Sequence, residues 1–123
     1  MRRIFFLIMA TAVFFTSFAD NGSAASINLE HQGHDNHIEH YLPADAPEAY
    51  YDSDEMKIII ETEGFASYYT VEVLSMENTH SVIYTHINGC GDTIDVSSLC
   101  EGCYKLVITS EYNNVYIGYF NID

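Results

Sequence analysis

The sequence predicts an all-β chain in which seven short strands form two facing antiparallel sheets. Three observations carry this prediction. Beyond Glu48, runs of β-branched and aromatic residues are separated by Gly, Asn, Asp and Ser at nearly regular spacing. Several runs alternate apolar and polar residues with period two, which marks one buried and one wetted face. Outside the first nineteen residues no stretch holds a 3.6-residue apolar period.

Residues 1–19 read as an export signal. Met1-Arg2-Arg3 is a basic start, Ile4 to Phe15 is uncharged and apolar, and Ser17 and Ala19 are small residues where a signal peptidase reads. Cleavage after Ala19 fits, with Ala24 and Ala25 as competing sites. Ile4 to Phe18 is shorter than the roughly 20 apolar residues that span a bilayer. The expected product is exported to the periplasm, the cell surface or the medium, with no transmembrane segment after cleavage. Residues 20–47 are dominated by Asn, Gly, Ser, Ala, His, Asp and Glu, which bury too little apolar surface to offset ordering entropy. They are expected to form a flexible, acidic, histidine-rich leader closed by Pro43 and Pro47.

The sandwich is expected over residues 48–123. Its strands are placed at Glu48–Asp52, Met56–Thr62, Ser67–Ser75, Ser81–Asn88, Asp92–Val96, Cys103–Ser110 and Asn114–Ile122. In the third, Tyr69, Val71 and Val73 oppose Tyr68, Thr70 and Glu72. In the sixth, Tyr104, Leu106 and Ile108 oppose Cys103, Lys105, Val107 and Thr109. Glu111-Tyr112-Asn113-Asn114 reads as the hairpin between the last two strands. Strands of this number and spacing point to an immunoglobulin-like (fibronectin-III-like) seven-stranded β-sandwich. Leu99, Gly102 and Tyr104 have the sequence form of a tyrosine corner, where a phenol bonds back to upstream backbone.

Three stretches carry a resemblance: Gly64-Phe65-Ala66-Ser67-Tyr68-Tyr69, Gly91-Asp92-Thr93-Ile94-Asp95-Val96-Ser97-Ser98-Leu99 and Tyr116-Ile117-Gly118-Tyr119-Phe120. With them, residues 49–123 resemble small secreted immunoglobulin-like proteins of unknown function from Bacteroides-type gut bacteria. Ile94-Asp95-Val96 through Leu99, Gly102 and Tyr104 also resembles the C-terminal sorting domains of type IX secretion. The resemblance implies the sandwich fold and export, and brings no catalytic residues.

Charge narrows the partners. The chain has 4 Lys+Arg against 18 Asp+Glu, a net charge of −14. Arg2 and Arg3 lie in the signal, leaving Lys57 and Lys105 against all the acids. Phosphate backbones would be repelled, which excludes nucleic acid. His31, His34, His37 and His40 recur every third residue, and three residues per turn would set their imidazoles along one edge. That set is the candidate metal site, for zinc or copper, of the alternative function. Otherwise no cofactor is expected.

Cys90, Cys100 and Cys103 are odd in number, so at least one thiol stays unpaired or pairs between chains. An extended Asp92–Val96 would span about 17 Å at roughly 3.3 Å per residue. That is well beyond the roughly 7 Å between Cα atoms that a disulfide tolerates. A local Cys100–Cys103 bridge is therefore expected, with Cys90 free or forming a dimer. Tyrosines 50, 51, 68, 84, 112 and 119 are candidates for exposure, and Tyr68, Tyr84, Tyr112 and Tyr119 for a contact face. No nucleophile–base–acid set or phosphate-cradling loop is visible, so no enzyme is expected. The expected function is a secreted binding or structural module, acting through a tyrosine-rich face or an open sheet edge on a protein partner or envelope component.

Overall fold

The computed structural model describes residues 24–32 and 43–123. The expected signal at residues 1–19 lies outside them. So do residues 20–23 and 33–42 of the expected leader, including His34, His37 and His40.

Nine strands are present among the described residues, two more than expected. They are β1 Ala24–Ile27, β2 Glu30–Gln32, β3 Glu48–Asp52, β4 Lys57–Glu61, β5 Tyr68–Ser75, β6 Ser81–Asn88, β7 Asp92–Asp95, β8 Gly102–Ser110 and β9 Val115–Ile122. One sheet runs β1-β3-β4-β7 and the other β2-β9-β8-β5-β6, all neighbours antiparallel. Without β1 and β2, three strands face four, the seven-stranded immunoglobulin-like sandwich the sequence predicts. No helix among the described residues is long and apolar enough to cross a membrane.

The two added strands come from the segment expected to be flexible. β1 lengthens the four-stranded sheet beside β3, and the chain then crosses at Asn28–Leu29 so that β2 lengthens the other sheet beside β9. Composition misjudges this stretch because an edge strand borrows its hydrogen bonds and its core from strands already formed. Ile27 and His31 suffice as anchors: both are buried, and Leu29 packs against the core between them.

Alternation predicts the core. Ile58 and Ile60 of β4, Tyr69, Val71 and Val73 of β5, and Tyr104, Leu106 and Ile108 of β8 are all buried between the sheets. Each aliphatic side chain so enclosed contributes about 1.5–3 kcal/mol. The Ser110–Asn114 hairpin closes with Asn113 donating its N–H to Ser110 O (2.9 Å) and Ser110 to Asn114 O (2.9 Å). Asn113 takes φ +67° there, a left-handed position that asparagine tolerates.

At the opposite end of the sandwich the Tyr104 hydroxyl donates to the Cys100 carbonyl at 2.6 Å, the hydrogen bond of a tyrosine corner. The Tyr104 ring stacks on Phe120 (centroids 5.6 Å), which in turn meets Tyr51 of the facing sheet (5.5 Å). Tyr104→Phe keeps the stack and loses only the hydroxyl bond. It is expected to cost about 1 kcal/mol, lowering Tm by roughly 4–8 °C in a domain this small. Thermal unfolding followed by circular dichroism measures this, and an unchanged Tm would show that the corner contributes nothing.

Candidate functional site

The outward residues of the two sheets differ in charge. On the four-stranded sheet Glu48, Asp52, Lys57, Glu61 and Asp95 occupy the outer positions around Tyr50 and Ile59, in register across β3, β4 and β7. Lys57 pairs with Glu55 at 2.9 Å. The hydrogen bond and charge of Glu55 raise the lysine's pKa. The Tyr50 hydroxyl is tied to Glu48 at 3.1 Å. This face is acidic.

The outer face of the five-stranded sheet mixes aliphatic and aromatic residues with uncharged polar ones and a few charges. One register row reads Glu30, Ile117, Val107, Glu72, Tyr84 from β2 to β6, and the next reads Gln32, Val115, Thr109, Thr70, His86. A third places Tyr119 beside Lys105 and Leu74. Glu72 and Lys105 are the charged residues in its middle, with Glu30 at its rim. Tyr84 (64% exposed) and Tyr119 (55%) stand out from it, and Tyr68 lies further along β5 on the same side. The Tyr84 ring meets His86 edge-on at 5.8 Å, and His86 Nδ1 lies 3.1 Å from the Thr70 hydroxyl.

Tyrosines 68, 84, 112 and 119 are thus all exposed, but only the first, second and fourth share a sheet face. Tyr112 sits in the β8–β9 hairpin at the end of the sheet. Of the other two candidates for exposure, Tyr50 faces outward and Tyr51 does not. Tyr50 belongs to the acidic face, and Tyr51 turns inward, half-buried against Phe120, because Asp52 and Tyr50 take the outward positions beside it. Burial, followed by the charges of Asp123 and Asp52, raises the Tyr51 pKa.

The expected Cys100–Cys103 bridge is not formed, and all three cysteines are free, exposed thiols. Strand alternation explains this. Cys103 follows the outward side of β8 opposite Asn121 of β9, and its Sγ lies 2.8 Å from Asn121 Oδ1. Cys100 stays in the preceding loop, where its carbonyl receives Tyr104.

One polar cluster has no counterpart in the sequence reading. Asp45, 5% exposed, sits in the turn before β3 and is enclosed by the β8–β9 hairpin. The Tyr116 hydroxyl donates to Asp45 Oδ1, and Asn114 Nδ2 reaches both carboxylate oxygens at 3.3 and 3.1 Å. The Tyr69 hydroxyl donates to the Asp45 carbonyl at 2.7 Å. Burial raises the Asp45 pKa, but hydrogen bonds from Ser110, Tyr116, Asn114 and its own backbone together outweigh that and hold it below the ordinary value. The same burial, with the Asp45 bond and charge, pushes Tyr116 far up. His31 closes the cluster from β2: its Nε2 is 3.3 Å from Asn114 Oδ1 and its ring lies 5.3 Å from that of Tyr116.

His31, expected as one of four metal ligands, is therefore a buried residue in this network, and His34, His37 and His40 lie outside the described residues. Among the described residues no group of three or more His, Cys, Asp or Glu could hold a metal ion. The cluster is a clasp: it fastens β2, the turn before β3 and the last hairpin to one another.

No protein-family model matches the chain, and no curated protein matches it. Among solved structures it is similar to a DUF3244-family protein of Bacteroides vulgatus ATCC 8482 with an immunoglobulin-like β-sandwich fold. The TM-score is 0.64 at 17% identity, covering 81% of this chain and 99% of that one. At that identity the likeness shows the fold: an immunoglobulin-like sandwich.

Proposed function

With an immunoglobulin-like sandwich as the premise, we propose that the protein is an exported, non-enzymatic contact module. It binds a protein partner of the cell envelope through the outer face of its five-stranded sheet. The supporting observation is the asymmetry of the two faces. In a chain of net charge −14, one broad surface carries Glu72 and Lys105 amid Leu74, Val107, Val115, Ile117, Tyr84 and Tyr119. The centres of protein–protein interfaces are depleted in charge and enriched in tyrosine, with a polar rim. Glu30 and Gln32 of β2 and His86 of β6, on the two edge strands, supply that rim. The chain has no tryptophan, which weighs against a sugar-stacking platform.

Capture from an envelope extract tests this. Tyr84→Ser with Tyr119→Ser is expected to lower recovery of the partner at least fivefold, the loss of two aromatic anchors at about 1 kcal/mol or more each. Tyr50→Ser on the acidic face is expected to leave recovery unchanged. Equal capture by both variants would overturn the assignment of the face. Micromolar zinc or copper binding by the full chain, abolished by replacing His34, His37 and His40, would instead favour metal handling.

A further inference from the structure

Glu72 sits where a contact surface tolerates charge least. It is half-buried on the outer face of β5, directly opposite Tyr84 of β6 on one side and Val107 of β8 on the other. Thr70 and Leu74 lie before and after it on the same side of the strand. Among the described residues its carboxylate has no ion pair or hydrogen bond. The cation on this face, Lys105, stands one row away, opposite Leu74 and Tyr119. Its long stem lets it keep its charge in water at the margin of a contact.

Water satisfies an exposed carboxylate, and covering the face removes that water. Leaving a carboxylate buried and unpaired is strongly unfavourable. A partner that covers Tyr84 and Val107 must therefore bring a positive group to Glu72. We infer that this group is the guanidinium of an arginine side chain on the partner protein, seated on Glu72 and Tyr84. The inference rests on the outer face of the five-stranded sheet being the surface that is covered. Residues directly opposite one another on antiparallel strands have Cβ atoms about 4.5–5.5 Å apart. An aromatic ring attracts a cation within about 6 Å of its centre, so one guanidinium can meet both residues at once. Its planar fork pairs with a carboxylate through two hydrogen bonds while its face lies on the ring. A lysine ammonium is a more strongly hydrated point charge and has no such fork. The Tyr84 ring is steadied by His86, which it meets edge-on at 5.8 Å. Long-range charge favours the same occupant: at net −14 the chain attracts cationic surfaces and repels anionic ones before contact.

Nuclear magnetic resonance of the isotope-labelled full chain tests the seat, with a blocked peptide of valines and threonines around one arginine as the probe. The reference is the same peptide with citrulline, which keeps the planar group and lacks the charge. The arginine peptide is expected to move the amide signals of Glu72, Tyr84 and Val107, and to bind at least about fivefold more tightly than the citrulline one. Glu72→Gln is expected to erase that preference. Glu61→Gln removes one charge from the acidic face and is expected to keep it, which separates the seat from general attraction to an acidic chain. A preference that is absent, or that both substitutions weaken equally, overturns the seat. So does equal binding of a lysine peptide, because an ammonium then serves as well. Partner capture separates this inference from the reading it rests on. Glu72→Gln is expected to lower recovery, as Tyr84→Ser with Tyr119→Ser does. If the tyrosine variant lowers recovery and Glu72→Gln leaves it unchanged, the face stands and the arginine seat falls. If neither lowers it, the face falls and the seat with it.

Discussion

Replacing Asp45 with alanine lowers the unfolding free energy at neutral pH by an expected 3 kcal/mol or so, a large share of a small domain's stability. The substitution strands the Tyr116 hydroxyl, the Asn114 amide and the Ser110 side chain without their shared acceptor, while the Asp45 carbonyl still receives Tyr69. Unpaired buried donors each forfeit their hydration with nothing in return. Asp45→Asn keeps one acceptor oxygen and loses the charge, so its cost is intermediate. The pH dependence separates charge from shape. The folded-state pKa of Asp45 lies below its ordinary 3.8. Its ionisation therefore contributes stability that is complete above that value and vanishes as pH falls through the folded one. The other carboxylates titrate in both proteins, so the wild-type-minus-Asn difference isolates this group. Urea midpoints are expected to differ at pH 7 and to converge below pH 4, and a gap that persists in acid would show that Asp45 acts through packing alone.

The sandwich strands are legible in the sequence because burial follows a period of two within each strand, as in Tyr69-Val71-Val73 and Tyr104-Leu106-Ile108. That information is local. The Asp45 cluster is not, since its partners lie 69 and 71 positions away and Asp45 itself resembles any acidic loop residue. Composition misleads over Ala24–Gln32 for a related reason. Its mean character is polar, but an added edge strand needs only a few anchors, and Gly118, the residue that makes room for it, lies 91 positions after Ile27 (118 − 27).

Local spacing misleads in its own way at the thiols. Two cysteines separated by two residues suggest a bridge, but the pleat of β8 turns Cys103 toward Asn121. Exposure of the tyrosines is legible only once register is known: Tyr50 and Tyr51 are adjacent in sequence, and the pleat sends one to the acidic surface and the other to the core. The face proposed for contact has the same origin. Its members come from five strands, and only pairing reveals that Tyr84, Val107 and Ile117 lie in one row.

Gly89→Ala is expected to destabilise the protein by about 3 kcal/mol or more, at the upper end of what overpacking costs. The turn holding Gly89 carries the chain from β6 in one sheet to β7 in the other, so it must pass close to the loop ahead of β5. A Cβ on Gly89 would stand 1.9 Å from the Ala66 carbonyl oxygen and 3.0 Å from its carbon, atoms of backbone rather than of a side chain that could rotate away. That loop is itself tied to the turn: the Gly89 N–H donates to Ser67 O at 2.8 Å, and the Thr62 hydroxyl donates to Gly89 O. Relieving the clash therefore means giving up these bonds or moving Ala66, which is buried in the core. Cys90→Ser next door is the control. Cys90 is exposed and its N–H is capped by Asn88 Oδ1 at 2.8 Å, an arrangement serine preserves, so its effect should stay within about 0.5 kcal/mol. Urea unfolding of the two variants measures the contrast. Equal midpoints would mean that the crossover can shift away from Ala66 freely, and that the approach of the turn to the loop is not what joins the two sheets at this end.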